Sequence, residues 1–244
     1  ILLWDVFELK KQEIINKLSF INAFSKQNIK DMKKYWNLLY WELIDENIVY
    51  TDSVLLTRPD KFTNEEWLNF DEIKDFLKKF NHIYGLKMNL VSRWFWARFS
   101  VKGDNLYVRN NVKIWKRELR AVIAHEIEGH YLRKINGKKT KFNILQNWTA
   151  WYITTEEWLA VYNQMRFLSK NDSKYYSIFE RYKFLDYAQK LPYDELVKRH
   201  LEYYDYNYWK VFNYIVRMKR WVKDVSSQYI FTKDVVYLNW YLQI

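Results

Sequence analysis

Three observations predict a mostly helical α+β fold. Apolar residues recur at helical spacing over residues 5–40 and again beyond Met165. From Met88 to Lys113 the pattern switches to the alternation of strands. Residues 117–136, RELRAVIAHEIEGHYLRKIN, then read as one helix carrying two of the chain's 4 histidines. A small antiparallel sheet is expected just ahead of that helix. The chain accordingly divides into an N-terminal helical scaffold, residues 1–87, and a region built around the histidine-bearing helix, residues 88–244, the two joined as one continuous domain.

Taken in order, Val6, Leu9, Ile14, Ile15, Leu18 and Ile21 mark a first helix, and Ser25 to Asn28 a break before a second. Pro59 marks a loop. A third helix is expected after Asn64-Glu65-Glu66 and another after Asp71, with Phe70, Ile73, Phe76, Leu77 and Phe80 facing inward. Tyr84-Gly85 ends that helix, and His82 beside it reads as structural. Strands at 97–101 and 105–110 flank Lys102-Gly103-Asp104, a hairpin turn signal. Asn136-Gly137 closes the histidine-bearing helix, and a connection runs over 138–153. Helices follow over 175–188, 193–200 and 207–222, with a break at Leu191-Pro192. His200, flanked by Lys198 and Arg199, is expected at the surface.

Within the histidine-bearing helix stands His125-Glu126-Ile127-Glu128-Gly129-His130, an HExxxH string. Two imidazoles with an adjacent carboxylate suit a zinc site that carries its own general base. The common zinc-peptidase string spaces its histidines by four. At about 3.6 residues per turn, a step of five swings the second ring by roughly 140° instead of roughly 40°. The site therefore requires one extra residue in the coil, as in a π-bulge. An irregular turn is expected over Ile127 to Gly129, where glycine makes distortion cheapest. Without that turn, the string is a helix with two satisfied histidines.

Downstream, Thr154-Thr155-Glu156-Glu157 precedes an apolar run. It reads either as a helix start with acids placed for the dipole, or as the source of a third ligand, one of the two glutamates, on a second helix antiparallel to the first. Three protein ligands with an open fourth position form the pattern of a catalytic zinc site. The 27 residues from His130 to Glu157 suffice for helix end, turn and return.

HEIEGHYLRKING followed by TEEWLAVYN resembles the QEGLA-motif proteins, which include the microtubule-associated tyrosine carboxypeptidases. The resemblance takes in the LLWDVFELKKQ opening, LLYWELIDE, ARFSV ahead of the helix and FTKDVVYLNWYL near the end. It implies a gluzincin-like zinc metallopeptidase with one Zn2+, acting as a carboxypeptidase on the C-terminal tail of a peptide or protein. Carried over by position, it implies His125 and His130 as ligands and Glu126 as the catalytic glutamate. It implies Glu157 as the third ligand, because Glu156 aligns with the glutamine of QEGLA and a ligand does not readily alternate with glutamine. Two positions depart from the family. Glu128 stands where its HEIGTH string has glycine, with Gly129 following, and Trp158 stands where QEGLA has glycine.

The second departure has a counterpart in composition. The chain has 13 Trp and 4 Gly, which together fill about 7% of it, the usual share of glycine alone. Trp41, Trp148, Trp151, Trp158 and Trp240 sit where family glycines are expected. These positions fit a source that reads UGA as glycine, translated here as tryptophan. Coding DNA in which most Trp codons are UGG overturns that reading.

Length and charge bound the remaining functions. A chain of 244 residues holds a sizeable core. It opens at Ile1 without an initiator methionine, as a fragment does. No run of about 18 apolar residues offers a membrane span. Zero cysteines exclude thiolate ligands, leaving imidazole and carboxylate, and agree with a cytoplasmic location. The net charge of +11 invites a nucleic-acid reading, but lysines are scattered with no dense block, so nucleic acid is not the expected partner. A carboxypeptidase needs a cation for the terminal carboxylate, and Arg217 and Arg220 are candidates. Arg98 and Arg109 on the hairpin are placed to reach a cleft, where an edge strand commonly pairs with extended substrate. Tyr237 is a candidate oxyanion donor. The competing function is a metal-binding regulatory or scaffold protein without catalysis, against which the intact Glu126 argues.

Overall fold

The structure, a computed structural model, describes residues 3–59, 67–94, 98–141, 152–227 and 229–242. It is mostly helical with small sheets, as an α+β protein. The chain forms two compact units, one of residues 1–58, 149–154 and 176–244, the other of residues 59–148 and 155–175. The boundary expected between residues 87 and 88 falls inside the second unit. The helix before it shares a core with the strands and the histidine-bearing segment after it.

In the first unit, α1 (Leu3–Ser25) and α2 (Ile29–Leu39) form a hairpin. Asn28 caps α2, its side chain accepting from the Asp31 N–H. Phe20, Ala23, Met32, Trp36 and Leu39 pack there with Tyr229 and Phe231 from near the chain's end. The apolar residues whose spacing marks α1 are not the ones it buries. Glu13, Asn16, Phe20 and Ala23 are buried, whereas Leu9, Ile14, Ile15, Leu18 and Ile21 are exposed. Glu13 is held by Lys10 and Lys17, so its inward position is electrically paired. Helix α3 (Asp45–Leu56) follows.

In the second unit, Trp67–Leu68 (β1) is a strand and not the start of a helix, because it pairs with Ile114–Trp115 (β5). The expected helix start at Asn64-Glu65-Glu66 and residues 142–151 of the long connection lie outside the described residues. Helix α4 (Phe70–Tyr84) begins with a capping box between Asn69 and Glu72 and ends at Gly85, whose φ of 61° is the left-handed conformation glycine tolerates. Strands β2 (Asn89–Arg93), β3 (Phe99–Lys102) and β4 (Asn105–Arg109) form a sheet in the order β2-β4-β3. The sheet expected to be antiparallel is mixed. β3 and β4 form the antiparallel hairpin, while β2 runs parallel to β4.

Helix α5 (Lys116–Ile123), a π-helix (Ala124–Tyr131) and α6 (Leu132–Lys138) then run on as one coil. Leu119, Ile123, Ile127 and Tyr131 bury one side of it against Ile73, Leu77 and Phe80 of α4 and Phe99, Leu106 and Val108 of the hairpin. Helix α7 (Tyr152–Met165) starts two residues ahead of the Thr pair expected to open it. Then come α8 (Ser173–Lys190), α9 (Tyr193–Tyr203), α10 (Tyr208–Lys219) and α11 (Val235–Tyr241). No helix among the described residues is long and apolar enough to cross a membrane.

Candidate metal centre

The five-residue step between the histidines is absorbed by the π-helix. Its bonding closes over five residues, and the Leu132 N–H donates to the Ile127 carbonyl. The looser coil turns His125 and His130 toward one another, with ring centroids 5.1 Å apart and planes at 74°. Glu157 of α7 completes the group. Its Oε2 lies 3.8 Å from His125 Nε2 and 3.9 Å from His130 Nε2. One ligand atom from each of the three residues falls within 4.8 Å of the others, a spacing that could hold a metal ion. Two neutral imidazoles and one carboxylate are a donor set for a borderline divalent ion.

The close approach of α7 to the π-helix depends on Gly129. A Cβ added there would lie 2.6 Å from Ala160 Cβ and 2.8 Å from Ala160 Cα. Gly129 is thus required for contact between two backbones. This differs from the expected reason, that glycine eases a distorted turn. Ala160 stands one turn beyond Glu156 and Glu157, so the same contact sets how near their carboxylates come to His130.

Two neighbours tune the group in roles the sequence did not indicate. Glu156, buried, places Oε1 2.7 Å from His130 Nδ1, and its Oε2 lies 2.8 Å from Arg133 Nε. Burial pulls the His130 imidazole down, but the Glu156 hydrogen bond and the charges of Glu157 and Glu126 outweigh it and hold it above its usual value. The other neighbour is the backbone of β3. The Arg109 N–H donates to the Arg98 carbonyl, which makes 98/109 a hydrogen-bonded pair of the hairpin. By alternation Phe99 and Val101 then turn their backbone groups to the outer edge of the sheet. There Val101 donates to the Glu126 carboxylate.

Glu126 itself keeps part of its side chain open to solvent. Burial of its carboxyl pushes it up to about 7. The Glu157 charge adds to the rise, while His130 and the Val101 N–H oppose it.

The other candidates lie among different partners. Arg98 is engaged with Glu118, Nη1 to Oε1 at 2.6 Å, and donates from Nη2 to the Lys113 carbonyl at 2.7 Å. Arg217, Arg220 and Tyr237 belong to the other unit. Arg217 makes a two-pronged pair with Asp234, both contacts at 2.5 Å. Arg220 donates to the Arg217 carbonyl at 2.9 Å and stands over the Phe231 ring. Tyr237 is buried with the Arg181 guanidinium over its ring. His82 is exposed in the last turn of α4. His200 is not at the surface as expected. It is fully buried, stacked on Phe184 at 3.9 Å, with Nδ1 2.7 Å from the Leu196 carbonyl. Its charged neighbours in sequence point outward because one helical step separates each of them from the buried face.

Compared with known protein families, residues 44–244 match the one described as microtubule-associated tyrosine carboxypeptidase. No curated protein gives a significant match. The family match spans most of the chain and includes the π-helix, the hairpin edge and α7. The chain belongs to the microtubule-associated tyrosine carboxypeptidase family, which implies carboxypeptidase-type activity on a peptide or protein substrate.

Proposed function

We propose that the chain is a zinc-dependent, gluzincin-like metallocarboxypeptidase whose single Zn2+ is held by His125, His130 and Glu157. The observation that carries this reading is the convergence of those three side chains within 4.8 Å across two helices. When bound, zinc supplies Lewis acidity toward a carbonyl and lowers the pKa of water toward neutrality.

The chain's own residues do the rest. Glu126 is the proton carrier. A carboxyl whose burial holds it above the usual carboxylate range is suited to take a proton from water and to give it to a leaving amine. The outward backbone groups of Phe99 and the Val101 carbonyl offer an extended peptide an edge to pair with, which sets its carbonyl beside Glu126. For the substrate's terminal carboxylate, Arg98 is the proposed cation. It already has an acceptor in Glu118, so anchoring would use the remaining donors of its five.

The test combines metal analysis with a C-terminal peptide library. Purified protein is expected to carry close to one zinc per chain and to release single C-terminal residues. Glu126→Gln is expected to keep the metal and lose turnover by at least about 100-fold. Metal retained with no hydrolysis of any peptide by the unaltered chain would leave the regulatory, non-catalytic reading in its place.

A further inference from the structure

We propose that Glu156, braced by Arg133, is a positioning residue that fixes the tautomer of His130 and aims its Nε2 at the ion. The inference rests on the metal-centre reading above and extends it to a second layer of residues. Adjacent residues on a helix point about 100° apart, so Glu156 and Glu157 do not both face one point. The structure uses that divergence. Glu157 stands 3.9 Å from Nε2 of His130, while Glu156 stands 2.7 Å from Nδ1. The two carboxylates address opposite nitrogens of one ring.

The consequence is chemical. An imidazole that ligates through Nε2 carries its proton on Nδ1, and that proton needs an acceptor if the ring is to stay in one orientation. Glu156 Oε1 is that acceptor. Its second oxygen would otherwise bring an uncompensated charge into a buried place, and Arg133 Nε, 2.8 Å away, supplies the counter-charge. His130, Arg133 and Glu156 thus link the π-helix, α6 and α7 through one chain of contacts. The arrangement also accounts for the QEGLA alternation at this place. A glutamine keeps the carbonyl oxygen that accepts from Nδ1–H, and on the Arg133 side it exchanges a charged acceptor for an amide NH2.

The test measures zinc affinity by chelator competition on the full chain, alongside thermal melting of the metal-free protein and ring-nitrogen NMR of His130. Glu156→Ala is expected to weaken zinc binding about 10- to 100-fold and to leave the metal-free His130 ring exchanging between tautomers. Glu156→Gln, which keeps the acceptor, is expected to retain the Nδ1–H signature and lose less than about 10-fold. It serves as the readout if the alanine variant does not fold. His130→Ala and Glu157→Gln act as controls that remove ligands. If they lose zinc while Glu156→Ala binds like the unaltered chain with one His130 tautomer, the positioning role is overturned and the centre stands. If the controls also bind normally, the centre is overturned and the positioning role with it.

Discussion

Gly129 governs the distance between the two halves of the metal centre. Any side chain there meets Ala160 backbone as well as Ala160 Cβ, so relief requires moving a helix. Gly129→Ala is expected to destabilise the fold by about 1–3 kcal/mol. It should also weaken zinc binding, read by melting and chelator competition on the same sample. His200 offers a prediction in pH. Burial pushes it down to about 4, against about 6.5 for an exposed imidazole. Between those values the unfolded chain binds a proton that the fold refuses, so stability falls as pH drops from about 6.5 and the loss is complete below about 4. The loss is on the order of 3 kcal/mol, and His200→Gln should flatten this part of the stability–pH curve. The burial was not legible in the sequence, because basic residues on both sides of a histidine do not reveal which face it occupies. Trp221 makes a third case. It follows the end of α10 with a φ of 78°, a conformation cheap for glycine and costly for tryptophan, at the position where helices commonly end in glycine. Its codon is expected to be UGA, and UGG there removes this support for recoding.

At the scale of elements, the π-helix was legible because two histidines five apart can share an ion only if the coil gains a residue. Its extent, Ala124–Tyr131, exceeds the single irregular turn expected from the motif. Deleting Glu128 restores the spacing of four, and the shortened coil is expected to bind zinc as a regular α-helix. Circular dichroism and zinc titration check this, and an inability to bind zinc in a folded deletion variant overturns it. Helix α3 was not legible. It buries Ile48, Thr51 and Val54 while leaving Val49, Tyr50 and Leu56 exposed, so its apolar pattern has no clear face. Strand β1 was equally hidden, since two residues carry no periodicity and their partner lies in β5, far along the chain. The direction of β2 escaped for a related reason. Alternation marks a strand but is the same for parallel and antiparallel pairing.

Across the whole molecule, order in sequence and membership of a compact unit diverge. Residues 59–148 and 155–175 form the unit that holds His125, Glu126, His130, Glu156 and Glu157, so the candidate centre is complete within it. The sequence separates helices from strands well but cannot tell that Tyr229 and Phe231 return to the core of the first two helices. Zinc should therefore act as a stabiliser of the folded state. At about 1,000 times its dissociation constant it is expected to add about 4 kcal/mol, seen as a rise in melting temperature. Glu157→Gln should abolish the rise, and an unchanged rise in that variant would remove Glu157 from the ligand set.

The meeting of Gly129 with Ala160 has one more implication. Only hydrogen atoms separate the two coils there, so neither can slide past the other by a methyl's width without parting His130 from its neighbours on α7. A search for variants with altered preference would do best to leave that seam untouched and begin on the strand side, at Val101 on the outer edge of the hairpin.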